Sequence, residues 1–170
     1  MRRERALRGR WLLALLAANM VAGQCGSVPP ANRVYLDPPL SSIPPSSAFT
    51  VDIVADISQG SLQAFDLSVQ GTPGTVLLIA AEPGDPGGFD DDGQLFGTPT
   101  LDAQANTISG IVDLRHGNTA ATGIVRLARL QIVSQTAGTA TLSITDLKLA
   151  DPTGTDLAAS VTGATVDVGP

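Results

Sequence analysis

Six short runs between Phe49 and Val168 alternate between apolar and polar residues, and turn residues separate them. In an extended chain, successive side chains point to opposite sides, so each run presents one apolar face and one polar face. No run is long enough in helical period to predict a helix. Strands with one apolar face bury it against a second layer, as two packed sheets do. The runs cover residues 49–53, 65–69, 108–112, 130–133, 142–144 and 164–168.

This alternation predicts an all-β fold, a nine-stranded antiparallel jelly-roll β-sandwich. Glycine, proline, asparagine or aspartate lies between the strands, as turns require. In the eighth strand the apolar residues change parity between Ile144 and Leu147, so we predict a one-residue β-bulge near Thr145 and Asp146. The predicted strands are residues 33–36, 48–57, 62–70, 75–82, 95–102, 106–115, 123–135, 139–149 and 159–168.

The N-terminal segment has the composition of an export signal. Five arginines precede an apolar stretch from Trp11 to Ala18, and small residues follow at Ala22 and Gly23. The stretch is shorter than the roughly 20 apolar residues that a membrane span needs. We therefore predict a signal peptide over residues 1–24, a proline-containing tether over 25–31, and one domain over 32–170. The mature protein is expected to be extracellular or at the cell surface.

Cys25 is the only cysteine, so an intrachain disulfide is excluded. It lies just after the apolar stretch, where an acylated lipoprotein cysteine would lie, although Gln24 stands where the usual signal has a small residue. Two interpretations remain open. Cys25 carries a lipid anchor, or the signal is cleaved near Gly23 and Cys25 stays a free thiol in the tether.

Charge excludes some partners of the mature chain. Without the signal, five basic and fifteen acidic residues remain, a formal charge of about −10. Nucleic acid is therefore not an expected partner, and a membrane is expected only through the lipid anchor.

Metal and catalytic chemistry have little support in the sequence. The densest acidic cluster consists of Asp90, Asp91 and Asp92, and its spacing does not match an EF-hand. These residues are therefore weak candidates for a calcium site, and the alternative interpretation is a solvated acidic loop. One histidine, His116, and one cysteine cannot make a conventional structural zinc site. No nucleophile-elbow sequence or phosphate-binding glycine motif is present. We expect no cofactor and no enzyme activity.

The ordered set of strand segments resembles a bacterial cohesin module, the β-sandwich receptor domain for dockerin-bearing proteins. The resemblance covers nearly the whole mature domain. Each segment alone is moderately specific, and their order carries the resemblance. The matching segments are AFTVDIV (48–54), SLQAFDLSV (61–69), NTISGI (106–111), residues 123–132, AGTATL (137–142), LKLAD (147–151) and ATVDV (164–168).

The resemblance implies a partner and a binding face. Cohesins receive dockerins on the sheet that contains the third and sixth strands, and dockerins carry EF-hand-like repeats that this chain lacks. The chain would therefore be the receptor. Strand parity assigns six residues to the outward side of the two strands, with Asp66 as an acidic contact and Ile111 as an exposed apolar one. The six residues are Ala64, Asp66, Ser68, Ser109, Ile111 and Asp113.

Two other functions remain open from the sequence. A carbohydrate-binding module of a polysaccharide-degrading system would need exposed aromatic rings, for which Tyr35, Phe89 and Phe96 remain once Phe49 and Phe65 are assigned to the core. A structural or adhesive surface subunit would need an open apolar edge strand. A line of exposed rings would favour sugar, and a polar face with a small apolar centre would favour protein.

The N-terminal assignment predicts the mass of the mature chain. We expect mass spectrometry of the protein from its producing cells to find a chain that lacks the first 23 or 24 residues. A diacylated N-terminal Cys25 would select the lipoprotein interpretation, and an unmodified terminus near Gln24 would select simple cleavage. An intact Met1 would contradict export.

Overall fold

The computed structural model describes residues 32–39, 42–84, 89, 94–116 and 120–169. Within these residues every regular element is a β-strand, and ten strands are present. The fold is therefore all-β, as the alternation predicts. The strands are β1 (Asn32–Asp37), β2 (Ala48–Leu62), β3 (Ala64–Gly71), β4 (Val76–Pro83), β5 (Thr100–Asp102), β6 (Thr107–Leu114), β7 (Ala121–Ser134), β8 (Gly138–Ala150), β9 (Ala159–Thr162) and β10 (Ala164–Val168).

The strands form two five-stranded sheets. The first sheet has the order β4-β7-β2-β1-β9, and the second has the order β10-β8-β3-β6-β5. Neighbouring strands are antiparallel except β1 and β9, which run parallel. The inward faces of both sheets share one apolar core. This arrangement confirms the predicted β-sandwich.

The last predicted strand, residues 159–168, is two strands in the structure, so the count is ten and not nine. Gly163 separates β9 in the first sheet from β10 in the second. A Cβ atom at Gly163 would overlap the carbonyl oxygen of Leu142. The chain can cross between the sheets at this point because glycine has no side chain there.

The core is built mainly from aliphatic side chains, with one aromatic pair at its centre. Phe65 on β3 and Phe89 are both buried, and their ring centroids lie 5.0 Å apart at an interplanar angle of 73°. Such an edge-to-face contact stabilises beyond the area it buries. The backbone N–H of Phe89 also donates to the carbonyl of Arg126 at 3.0 Å. Phe89 is thus a core residue, and its assignment as a candidate sugar-binding ring is wrong.

The predicted bulge in the eighth strand is confirmed. Asp66 pairs with Lys148 and Ser68 pairs with Thr145, so three steps along β8 match two along β3. Asp146 has a φ of 54°, the left-handed conformation that aspartate tolerates better than most residues. The extra residue turns Leu149 towards the core although its parity differs from that of Leu142.

Asn106 connects the two sheets by hydrogen bonds. It immediately precedes β6 in the second sheet, and its side chain is buried against β4 in the first. Its Oδ1 accepts from the N–H of Leu78 at 2.9 Å, and its Nδ2 donates to the carbonyl of Val76 at 2.9 Å. Its own carbonyl accepts from Gly71. The side chain therefore pairs with an edge strand as a neighbouring strand would.

We expect Asn106→Gly to lower the free energy of unfolding by about 3 kcal/mol, because it removes two buried hydrogen bonds and leaves the β4 groups without partners. Glycine keeps the φ of 51° at this position free of strain. Asp146→Gly is the matched control, since Asp146 also has a positive φ but is exposed. Urea unfolding measures both, and equal stabilities of the two variants would contradict the sheet-connecting role.

Candidate functional site

The side chains of β3 face the directions that the apolar/polar alternation predicts. Phe65 and Leu67 are buried in the core, so Ala64 and Asp66 lie on the outer side of the second sheet. Ser68 also has outward parity, but it is buried. Asp66 therefore remains the one charged residue that β3 contributes to this face.

The predicted outward positions on β6 are wrong at two of three residues. Ser109 is half-buried on the outer side, as predicted. Ile111 is instead fully buried in the core, and Asp113 is buried as well. The Asp113 carboxylate accepts the N–H of Leu114 at 2.8 Å, a structural contact within the strand. Neither Ile111 nor Asp113 is available to a partner on this face.

The cause is a β-bulge at Gly110. Leu67 pairs with Ile111 and Val69 with Ile108, so three steps along β6 match two along β3. Gly110 has a φ of 68°, which glycine adopts without the steric cost that a Cβ would bring. The extra residue reverses the facing of all later side chains in β6. An isolated glycine inside an alternating run is the sequence signal that could have predicted this.

The bulge turns Val112 and Leu114 outward, and neither residue is among the predicted outward positions. Leu114 is 38% exposed, and Phe96, at the border of the sheet, is 67% exposed. The N–H of Phe96 donates to the carbonyl of Val112 at 3.0 Å, which holds the two residues side by side. The exposed side chains of Phe96 and Leu114 and the half-buried Val112 therefore form an apolar cluster on the second sheet.

Two rows of paired residues cross this face at the end where β3 begins and β6 and β8 end. Val112 pairs with Asp66, which pairs with Lys148 on β8. In the next row, Leu114 and Ala150 flank Ala64. Among the described residues, no hydrogen bond or ion pair engages the side chains of Asp66 or Lys148. Both charges are free to meet charges on another molecule.

Towards the other end of the sheet, the outer side of β8, β3 and β6 is rich in hydroxyl groups. These side chains can donate and accept hydrogen bonds but bring no net charge. We name the outer side of β8, β3 and β6, with Phe96, the second-sheet face. Its hydroxyl and amide residues are Ser68, Gln70, Thr107, Ser109, Ser143 and Thr145.

The outer side of the first sheet differs in its electrostatics, because several of its charges are paired with one another. The Asp52 carboxylate accepts a hydrogen bond from Nε of Arg129 at 2.8 Å, and it forms an ion pair with Arg126, whose Nε lies 2.7 Å away. Arg33 and Asp56 form a further ion pair at 3.1 Å. Charges that already satisfy one another offer a partner little net gain.

The remaining candidates add no site to the described part of the chain. Asp90, Asp91 and Asp92 lie outside the described residues. No group of three His, Cys, Asp or Glu side chains in the described ranges is arranged to hold a metal ion. Residues 151–156 form a turn, in which hydrogen bonds from Thr153 and Thr155 lower the pKa of Asp151. The same ranges contain no helix with the length and hydropathy to cross a membrane.

Comparison with known proteins identifies the fold. No family model matches the sequence, and no curated protein is similar to it. Among solved structures, the chain is similar to a non-cellulosomal cohesin from the archaeon Archaeoglobus fulgidus, with a TM-score of 0.65 and 11% sequence identity. That match covers 82% of this chain and 91% of the cohesin.

Two further similar structures are complexes that contain dockerins. One is the sixth cohesin of scaffoldin B from Acetivibrio cellulolyticus with a dockerin, with a TM-score of 0.62 and 17% identity over 81% of this chain and 99% of that chain. The other is a type I cohesin–dockerin complex from Clostridium thermocellum, with a TM-score of 0.64 and 10% identity over 81% and 99%. The chain therefore has a cohesin-like fold.

Because the side chains of β6 reverse their facing at Gly110, substitutions at two adjacent residues should have very different effects on stability. Ile111→Ser should lower the free energy of unfolding by about 4 kcal/mol, since it leaves a cavity and a buried hydroxyl in the core. Val112→Ser should change it by less than about 1 kcal/mol, because Val112 lies on the outer face. Thermal melts of both variants measure the difference. A larger loss for Val112→Ser would contradict the bulge.

Proposed function

We propose that this chain is a non-catalytic receptor module that binds a dockerin-bearing protein through the second-sheet face. The observation that carries the proposal is the apolar cluster of Phe96, Val112 and Leu114, two of them exposed, beside two unpaired charges on a cohesin-like fold. Similar solved structures include cohesins in complex with dockerins.

The second-sheet face has the composition of a protein-binding surface. Binding energy in protein interfaces concentrates in a few central apolar or aromatic anchors, which surrounding polar groups shield from water. Phe96 and Leu114 supply such anchors, and the neighbouring serine and threonine residues supply the polar surroundings. Asp66 can accept charge-assisted hydrogen bonds from a partner.

A carbohydrate-binding function has less support. Phe89 is buried, Phe49 packs partly against the core, and the Arg33 guanidinium lies 5.4 Å from the centre of the Tyr35 ring. Phe96 is the one strongly exposed aromatic ring within the described residues, so these residues provide no line of rings for a sugar chain.

An adhesive or polymerising subunit also has less support, because the described sheet edges are short or irregular. β5 and β9 have three and four residues, and a register shift interrupts the edge strand β4 between Leu78 and Ala80. Short or bulged edges discourage pairing with another chain.

We further propose that the module acts outside the cytoplasm, at the cell surface. The proposal rests on the arginine-rich N-terminus and on Cys25, both of which lie outside the described residues. The domain begins at Asn32 in β1, which belongs to the first sheet. The tether therefore joins the sheet that does not carry the proposed binding face.

The test is calorimetric titration with each dockerin module encoded in the same genome. We expect at least one to bind, and we expect Leu114→Ser and Asp66→Ala to weaken that binding at least fivefold, or about 1 kcal/mol, with little change in melting temperature.

Ile124→Ser is the matched control for this titration. Ile124 is 71% exposed on β7, in the first sheet, so the substitution removes an exposed apolar side chain from the other side of the sandwich. We expect it to bind as the wild type does. Absence of binding by every dockerin would contradict the function, and equal loss in the control would contradict the face.

A further inference from the structure

One row of the second-sheet face has a chemical order that a partner must match. Val112 on β6, Asp66 on β3 and Lys148 on β8 are paired across three adjacent strands. Across the sheet the row is apolar, then negative, then positive. Lys148 is the only lysine of the chain. The inference from this row rests on the proposed function for its choice of face.

The fold itself makes little use of the two charges in this row. Among the described residues, neither Asp66 nor Lys148 has a hydrogen-bond or ion-pair partner, although they stand opposite each other on β3 and β8. On the first sheet, by contrast, Asp52 contacts two arginines. Because exposed charges on neighbouring strands attract each other only weakly, a partner can engage both at little cost.

The spacing of the row suits one side of a helix. Adjacent strands lie about 4.8 Å apart, so the row spans about 10 Å. Helix residues at i, i+3 or i+4, and i+7 share one side and span a similar length of about 10 Å. Dockerins carry EF-hand-like repeats, whose helices flank the calcium loops. A helix crossing the three strands can therefore meet all three side chains.

We propose that the face selects a partner helix that presents an apolar, a basic and an acidic side chain in that order at i, i+3 or i+4, and i+7. The apolar side chain packs beside Phe96, Val112 and Leu114. The basic side chain meets Asp66, and the acidic side chain meets Lys148. The two charges fix the direction in which the helix crosses the sheet, because the reverse direction brings like charges together.

The test uses two stapled, alanine-based helical peptides and the mature protein labelled with ¹⁵N. The first peptide carries leucine, arginine and glutamate at i, i+4 and i+7, and the second exchanges the arginine and the glutamate. At low salt we expect the first to bind about tenfold more tightly, with amide shifts at Val112, Asp66 and Lys148. At about 0.5 M NaCl the preference should fall to about twofold or less.

Charge exchange in the protein should reverse this preference. We expect the Asp66→Lys, Lys148→Asp double variant to prefer the second peptide, and Lys148→Glu alone to lower affinity for the first. Asp37→Lys is the control, because Asp37 is an exposed acidic residue on the first sheet. It should leave the preference unchanged. Equal binding of both peptides, binding of neither, or shifts centred on the first sheet would overturn the proposal.

The outcomes separate this inference from the proposed function. If the peptides are discriminated but no dockerin binds, the charge order holds and the dockerin assignment fails. If a dockerin binds but the peptides are not discriminated, the function holds and the inferred charge order fails.

Discussion

The second-sheet face depends on two bulges on either side of β3. At the level of residues 66–69, β6 and β8 each contain one residue more than β3 does. Gly110 and Asp146 have the positive φ angles at these points. Beyond each bulge the neighbouring strand reverses its facing, so Ile111 and Leu149 enter the core while Val112 and Lys148 reach the outer surface. The same two bulges therefore decide which side chains enter the core and which lie on the second-sheet face.

Contacts outside the strand ladders hold the two sheets in the arrangement that this face requires. Asn106 joins the start of β6 to β4 through two side-chain hydrogen bonds. Phe89 packs its ring against Phe65 beneath β3 and binds the backbone of β7. Gly163 lets the chain pass from the first sheet to the second beside Leu142. Each contact acts on residues distant in sequence, and each limits how far the sheets can shift relative to one another.

The two outer surfaces of the sandwich differ in how their charged side chains are paired. On the first sheet, Arg126 and Arg129 neutralise Asp52, and Arg33 neutralises Asp56. On the second, Asp66 and Lys148 stand beside an exposed apolar cluster. A pairing of apolar anchors with unengaged charges favours a binding partner, because contact then removes apolar surface from water and adds charge-assisted hydrogen bonds. This asymmetry distinguishes the two faces more clearly than composition does.

The sequence by itself determined most of the strands, the sandwich and the bulge at Asp146. Alternation shows which way side chains face wherever apolar residues lie on both sides of an irregularity. It did not show the break at Gly163 or the short extent of β5. It failed in β6, where Ile108, Val112 and Leu114 share one parity and make the alternation look unbroken across Gly110. Only pairing with β3 decided that Val112 faces outward. Tertiary structure likewise decided that Phe89 is buried and that Asn106 pairs with β4. Those positions depend on contacts between distant segments, which no local pattern encodes.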